Sequence, residues 1–230
     1  MPETLVAVLL NSLLFEGINK EDLKIMLGCL QPVIRNYARN EFIVLAGERF
    51  DGIGIILSGE ATVIKENAAG KRILIAMLKP GEMFGEMAAF SKNQVWPVTV
   101  HTQGVCTALF LTPRKIIGKC EKACPWHSTL IQNMLKIVSE KALMLNKKVE
   151  YLSIKSMRGK IAAFLLEQSR ITGRTKFILP LKRGEMADFL NVSRPSMSRE
   201  MCRMRDEGII GFHKAKISII DPERLKTLLE

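Results

Sequence analysis

The sequence predicts an α+β chain built in series: a small all-β sandwich or barrel, one long helix, and a terminal helix-turn-helix with a β-hairpin wing. Three observations predict it. Short apolar runs recur between about 40 and 111, with Gly47, Gly59, Gly70 and Gly81 spaced 12, 11 and 11 residues apart, the interval at which small β-sandwiches and barrels turn. Apolar or small residues then step 4, 3, 4, 3, 4, 3 from Ile131 to Leu152, a helical period. Finally, RGEMADFLNVSRPSMSREMCRMRD at 183–206 has the punctuation of two helices joined by a tight turn.

Along the chain, an apolar opening helix precedes β-rich runs at EFIVL, IGIIL, ATVIK, RILIAML, PVTVHT and CTALFL. The glycines between them serve as turns, where a residue without Cβ adopts positive φ at no steric cost. A 230-residue chain that is 47% hydrophobic can bury two modest cores. The expected divisions are a β-rich domain at 1–125, the helix at 126–153, and a domain holding the helix pair and hairpin at 154–230. The last 80 residues hold 16 basic and 9 acidic side chains, net +7 of the chain's +11, so the C-terminal third is the expected polyanion contact. No run approaches the length of a membrane span, and the opening residues lack a basic region before their apolar stretch, so a cytoplasmic location is expected. The five cysteines, Cys29, Cys106, Cys120, Cys124 and Cys202, are an odd number at irregular spacing, expected to be mostly reduced thiols.

In the long helix, Ile131, Leu135, Val138, Ala142, Leu145, Val149 and Leu152 form a narrow a/d seam flanked by Lys136, Glu140, Lys141, Lys147 and Lys148. Such a seam packs against a second helix of its own kind, which favours a homodimer; the alternative is a core helix within one domain.

Residues 157–169 read as an amphipathic helix, followed by a polar loop at Gly173 and the extended FILPL, whose Pro180 prevents helix. In the following helix pair, Ala187 permits close approach of the axes and Asn191 takes the turn position usually held by glycine. Ser193 caps the second helix, Pro195 falls in its first turn, and Met197, Met201 and Met204 mark a buried face. Arg194, Ser196, Arg199 and Arg203 lie largely on the other side, suited to a major groove. Gly208 ends the helix, and IIGFH and KISII flank Lys214 and Ala215 as a basic-tipped wing. Candidate DNA contacts are therefore Arg183, Ser193, Arg194, Ser196, Arg199, Arg203, Lys214 and Lys216.

In this order the chain resembles the Crp/Fnr family of bacterial transcription regulators. PGEMFGEMAAF at 80–90 is similar to the family's PGE-x-x-GE-x-x-x-F segment, RGKIAAFLL at 158–166 to the helix after its dimer helix, and SRPSMSRE at 193–200 to its recognition helix. The resemblance implies an N-terminal double-stranded β-helix, a jelly roll of the cyclic-nucleotide-binding type, that senses a small-molecule effector. It further implies a dimerisation helix, a winged helix-turn-helix on a palindromic double-stranded operator, and RNA polymerase as partner of an activator. The competing class is a cyclic-nucleotide-binding regulatory subunit or cupin-like protein acting without DNA; the Arg-Ser phosphate site and the His and carboxylate metal cluster that these would need are absent from the sequence.

The family's cyclic-AMP-binding members place Arg-Ser ten residues after the Gly-Glu pair, to hold the cyclic phosphate. Here Gly85 and Glu86 match, but Trp96 and Pro97 stand at the Arg-Ser positions, and Leu145 and Asn146 replace the Thr-Ser pair that reads adenine. Trp offers one neutral donor and Pro none, so cyclic AMP is expected to bind weakly or not at all. The family pattern leaves a chamber lined by Met83, Phe84, Met87, Trp96, Pro97 and Val98 with Glu86 as its polar group, either an apolar ligand pocket or simply core. No cofactor can be named: the first 28 residues lack cysteine, no histidine lies between 80 and 100 to join Pro2 at a haem, and Cys120, Cys124 and His127 lack a fourth metal ligand. The three scattered histidines give no nucleophilic triad, so enzymatic activity is not expected.

Overall fold

The computed structural model describes residues 3–50, 52–66, 72–118 and 126–229. Gly70, Pro2, Cys120 and Cys124, singled out above, lie outside the described residues. The chain divides into two compact units, Met1–Glu140 and Lys141–Glu230.

The first unit opens with α1 (Glu3–Leu10), a 3-10 turn at Leu13–Phe15, and α2 (Lys20–Leu30). The Asn19 side chain caps α2 by accepting from the Asp22 amide at 2.9 Å. The roll follows as β1 (Val33–Tyr37), β2 (Phe42–Val44), β3 (Ile53–Ser58), β4 (Ala61–Glu66), β5 (Arg72–Leu78), β6 (Met83–Phe84), the short α3 (Glu86–Ala89), β7 (Thr99–Thr102) and β8 (Cys106–Leu111). Its strands form two antiparallel sheets, β1-β8-β3-β6 and β2-β7-β4-β5. Strand alternation splits β3 between two cores. Ile53, Ile55 and Leu57 face α1, α2 and the start of the long helix, whereas Ile56 shares a core with Val63 and Val100 of the second sheet and Ala108 of β8. Gly47, Gly59 and Gly81 all have positive φ, in agreement with their reading as turns. β1 escapes the apolar-run criterion because its centre is Arg35–Asn36, and β6 is only two residues long.

After α4 (Pro113–Ile117) comes α5 (Trp126–Ser153). Leu130, Met134 and Ile137 bury one stripe of α5 in the first unit's core, and Val138 packs partly against it. The seam positions lie beside that stripe: Ile131 is half-buried, while Leu135, Leu145, Val149 and Leu152 are 62%, 51%, 65% and 51% exposed. The unit boundary falls inside α5, which the sequence treats as a segment of its own; its opening turns pack on the roll's helices, and Tyr151 near its end belongs to the second core.

The second unit adds α6 (Met157–Thr172), β9 (Lys176–Ile178), α7 (Arg183–Phe189), α8 (Arg194–Asp206), β10 (Ile210–His213), β11 (Lys216–Ile219) and α9 (Pro222–Thr227). Its antiparallel sheet runs β10-β11-β9. The core joins Ile161, Phe164 and Leu165 of α6 to Met186 of α7, Met197, Met201 and Met204 of α8, and Ile217 of the sheet.

Candidate nucleic-acid interface and sensor chamber

The α7–α8 pair forms as its local chemistry dictates. Glu185 caps α7 by accepting from the Lys182 amide at 2.8 Å. Asn191 turns the chain at φ +52°, and the Val192 amide closes the turn on the Ala187 carbonyl at 2.9 Å. Ser193 accepts from the Ser196 amide at 3.3 Å at the start of α8, and Pro195 sits in the first turn, where no intrahelical donor is needed. The three methionines of α8 are at most 1% exposed, and this fixes which face looks outward. That face carries Arg194, Arg199 and Arg203, all exposed, with Ser196 half-buried among them and accepting from Arg199 Nη2 at 3.4 Å. Lys214, at φ +53°, and Lys216 are exposed at the tip of the β10–β11 hairpin.

Arg183 does not join this surface. It is half-buried, with its guanidinium 5.0 Å over the Phe212 ring, Nη1 directed at Met201 Sδ, and a buried Nη2 that has no hydrogen-bond partner among the described residues. Burial pulls its pKa below the usual guanidinium range, with the neighbouring Cys202 opposing. Arg205 flanks the same ring at 5.5 Å. This placement makes Arg183 a bolt between α7 and the wing.

Sequence reasoning also passed over an ion cluster behind α8. Arg158 donates from Nε to Glu200 at 2.6 Å and from Nη1 and Nη2 to Glu207 at 3.0 and 2.6 Å. Arg224 and Arg203 complete it on Glu207 and Glu200. The signal was present, since Glu200 and Glu207 lie two helical turns apart in a run that also holds Arg199, Arg203 and Arg205. Lys160, only 9% exposed, donates to the Leu190 carbonyl at 3.3 Å, the negative end of α7.

In the roll, Gly85 stands at φ +94°, where a Cβ would come within 2.6 Å of the Phe50 ring and 2.8 Å of the Gly52 carbonyl. It aims α3 so that Glu86 is 2% exposed. The interior beside it is filled by rings. Phe84 stacks on Phe50 at 6.2 Å, Trp96 meets both edge-on at 6.2 and 5.5 Å, and Phe110 closes the group. A Cβ on Gly54 would lie 2.1 Å from the Phe84 ring, so the bare backbone there is what admits that ring. The expected chamber residues therefore do not share one cavity. Phe84 and Trp96 are core, with Val98 packed partly against them, whereas Met83, one residue from Phe84 on a two-faced strand, points into the other core. Met87 is 55% exposed and Pro97 is also exposed. Leu145 and Asn146 are exposed on α5. Buried Cys106 has its thiol pKa raised by desolvation. His127 Nε2 lies 3.2 Å from the Lys115 carbonyl.

The cyclic nucleotide-binding domain family matches residues 34–123, and the Crp-like helix-turn-helix domain family matches residues 159–228, together more than half of the chain and in the order the fold requires. The chain belongs to the Crp/Fnr family of transcription regulators. Similar members include the global nitrogen regulator of Nostoc sp., 23% identical over 207 residues that span 86% of this chain and 90% of that protein. The transcriptional activator protein FnrL of Cereibacter sphaeroides is 24% identical over 197 residues, spanning 83% and 78%. Among solved structures, the catabolite activator protein of Thermus thermophilus shares the fold, with a TM-score of 0.55 at 19% identity, over 95% of this chain and 98% of that one. This Crp/Fnr regulator is thus a DNA-binding transcription regulator carrying a domain of the cyclic-nucleotide-binding type. Among its described residues, no helix is long and apolar enough to cross a membrane.

Proposed function

We propose that two copies of this chain pair along the α5 seam and set their α8 helices into successive major grooves of a palindromic operator, under control of an effector other than cyclic AMP. The observation that carries the DNA reading is the division of α8 into a sealed methionine face and an outward face of Arg194, Arg199 and Arg203. Guanidinium groups so presented pair bidentately with guanine or neutralise phosphates, and Lys214 and Lys216 extend the contact through the wing. One turn of duplex separates the half-sites by about 34 Å. Pro195 stands where many family members carry a Glu that reads cytosine, so this operator differs from theirs at that base pair.

The exposed Leu135, Leu145, Val149 and Leu152 support pairing. Trp96 supports the exclusion of cyclic AMP, because its ring is packed into the roll where the nucleotide-binding members present a guanidinium to the phosphate. The protein acts in the cytoplasm as a regulator without catalytic activity, and where it activates transcription its further partner is RNA polymerase. A gel-shift titration with genomic fragments at two salt concentrations tests the assignment. Specific retention that weakens steeply with salt is expected, and absence of any retained fragment overturns it. Calorimetry with cyclic AMP tests the second part, where micromolar binding would refute the exclusion.

A further inference from the structure

We infer that the roll carries a ligand site distinct from the filled chamber: a pocket between β1, β8 and the Glu48–Phe50 segment that takes an amphipathic carboxylate. The inference deepens the proposed sensing role and rests on it. The pocket has a volume of about 340 Å³, within the range of small-molecule sites. Its apolar wall is made by Val33, Phe50 and Phe110, the two rings meeting edge-on at 6.2 Å. Its polar wall is made by Arg35 and Arg49. The Arg35 guanidinium lies 5.6 Å over the Phe110 ring, and Arg49 Nη2 donates to Gln94 Oε1 at 3.0 Å. Among the described residues neither guanidinium forms an ion pair. Among the described lining residues Arg35 and Arg49 are the cations and Glu48 is the carboxylate.

Aromatic edges beside guanidinium groups that carry no ion pair among the described residues suit a ligand with a compact apolar body and one carboxylate, which Arg binds bidentately. The site is also wired to the roll's interior. The segment bearing Arg49 is hydrogen-bonded to the segment bearing Trp96 through Gly47 N to Trp96 O at 2.8 Å, Trp96 N to Glu48 O at 2.9 Å and Phe50 N to Gln94 O at 2.9 Å. The Trp96 ring touches Phe50, and its buried indole N–H has no acceptor among the described residues. A ligand that draws in Arg49 and presses on Phe50 therefore changes the surroundings of Trp96 directly.

The chain has two tryptophans, so the full-length Trp126→Phe variant leaves Trp96 as the sole reporter. Phenylacetate and 4-methylpentanoate are the probes, with 2-phenylethanol as the neutral counterpart of the first. Saturable change of Trp96 fluorescence with the carboxylates is expected, confirmed by calorimetry on the parent protein. Arg35→Gln and Arg49→Gln should each weaken phenylacetate binding about tenfold or more, and 2-phenylethanol should bind at least that much more weakly than phenylacetate. Arg49→Lys should recover part of the loss. Failure of both carboxylates to saturate at about 10 mM by either method overturns the site. So does binding that survives both Arg→Gln changes unaltered, or equal binding of the alcohol. A gel shift on the same preparation without carboxylate keeps the two readings apart: retained DNA binding alongside failed carboxylate binding removes only this site.

Discussion

Replacing Val149 by Glu tests the paired architecture at the point where it is most exposed. Val149 is 65% exposed in the chain and lies in the middle of the three-residue run Leu145, Val149, Leu152, whose other members are each 51% exposed. Full burial of such a side chain is worth roughly 1.5–3 kcal/mol, so the part still open to water holds about 1 kcal/mol per copy. A symmetric seam loses that amount twice. It also brings two glutamates face to face, at about 1 kcal/mol for charges 4 Å apart in water and about 4 kcal/mol where the effective dielectric is lower. The sum, about 3–6 kcal/mol, corresponds to a dimer dissociation constant raised by roughly two to four powers of ten. Sedimentation velocity over a concentration series reads this directly, with Val149→Ala expected to show only the smaller apolar loss. Lys148→Gln, one position off the seam, should leave association unchanged. Val149→Glu protein that dimerises within about threefold of the parent would refute the seam, because no symmetric apolar contact absorbs two buried carboxylates at so small a cost.

Three further outcomes are expected. Arg199→Ala should weaken specific DNA binding by roughly 1–3 kcal/mol in a fluorescence-anisotropy titration while leaving the helical circular dichroism signal intact; an unchanged footprint would count against the outward face of α8. Met201→Ala removes a side chain that is 1% exposed and should destabilise the second unit by roughly 2–5 kcal/mol in urea unfolding, carrying DNA binding down with it although no contacting residue changes. Burial raises the pKa of the Glu167 carboxyl, but hydrogen bonds from Lys147 and Tyr151 outweigh it and hold the group below its ordinary 4.5. Its stabilisation is therefore complete above that value and lost as pH falls through the lower folded value. Glu167→Gln should consequently destabilise the second unit at about pH 7 and do so less as pH falls below the ordinary carboxylate value, measured by urea titration across that range; a deficit that does not shrink with falling pH would contradict the pairing.

The helix-turn-helix was legible because each of its features is local. A left-handed Asn191, a serine cap, a first-turn proline and a methionine every third or fourth residue need no knowledge of the rest of the chain. The long helix was legible for the same reason, although its period alone did not separate the stripe Leu130, Met134 and Ile137, packed on the first unit, from the exposed seam one residue further on. The sensor chamber was not legible. Whether it is open depends on the volumes of Phe50, Phe84, Trp96 and Phe110, which come from four segments far apart in sequence and meet only in the folded roll. Arg183 shows the same limit: it counts as a surface cation until Phe212, brought alongside by the hairpin, covers it. β1 was missed because Arg35 and Asn36 interrupt its apolar pattern, and Arg35 is one of the two guanidinium groups that line the proposed carboxylate pocket.

The Phe212 ring is met by two guanidinium groups, Arg183 from α7 at 5.0 Å and Arg205 from α8 at 5.5 Å. These two contacts tie the hairpin to α7 and α8 within the second unit. On the proposed docking, a base pair inserted between the stretch met by the hairpin and the stretch met by α8 would require the duplex to bend or one grip to be released. The spacing within each half of the operator would then follow from how Phe212 ties the hairpin to the two helices.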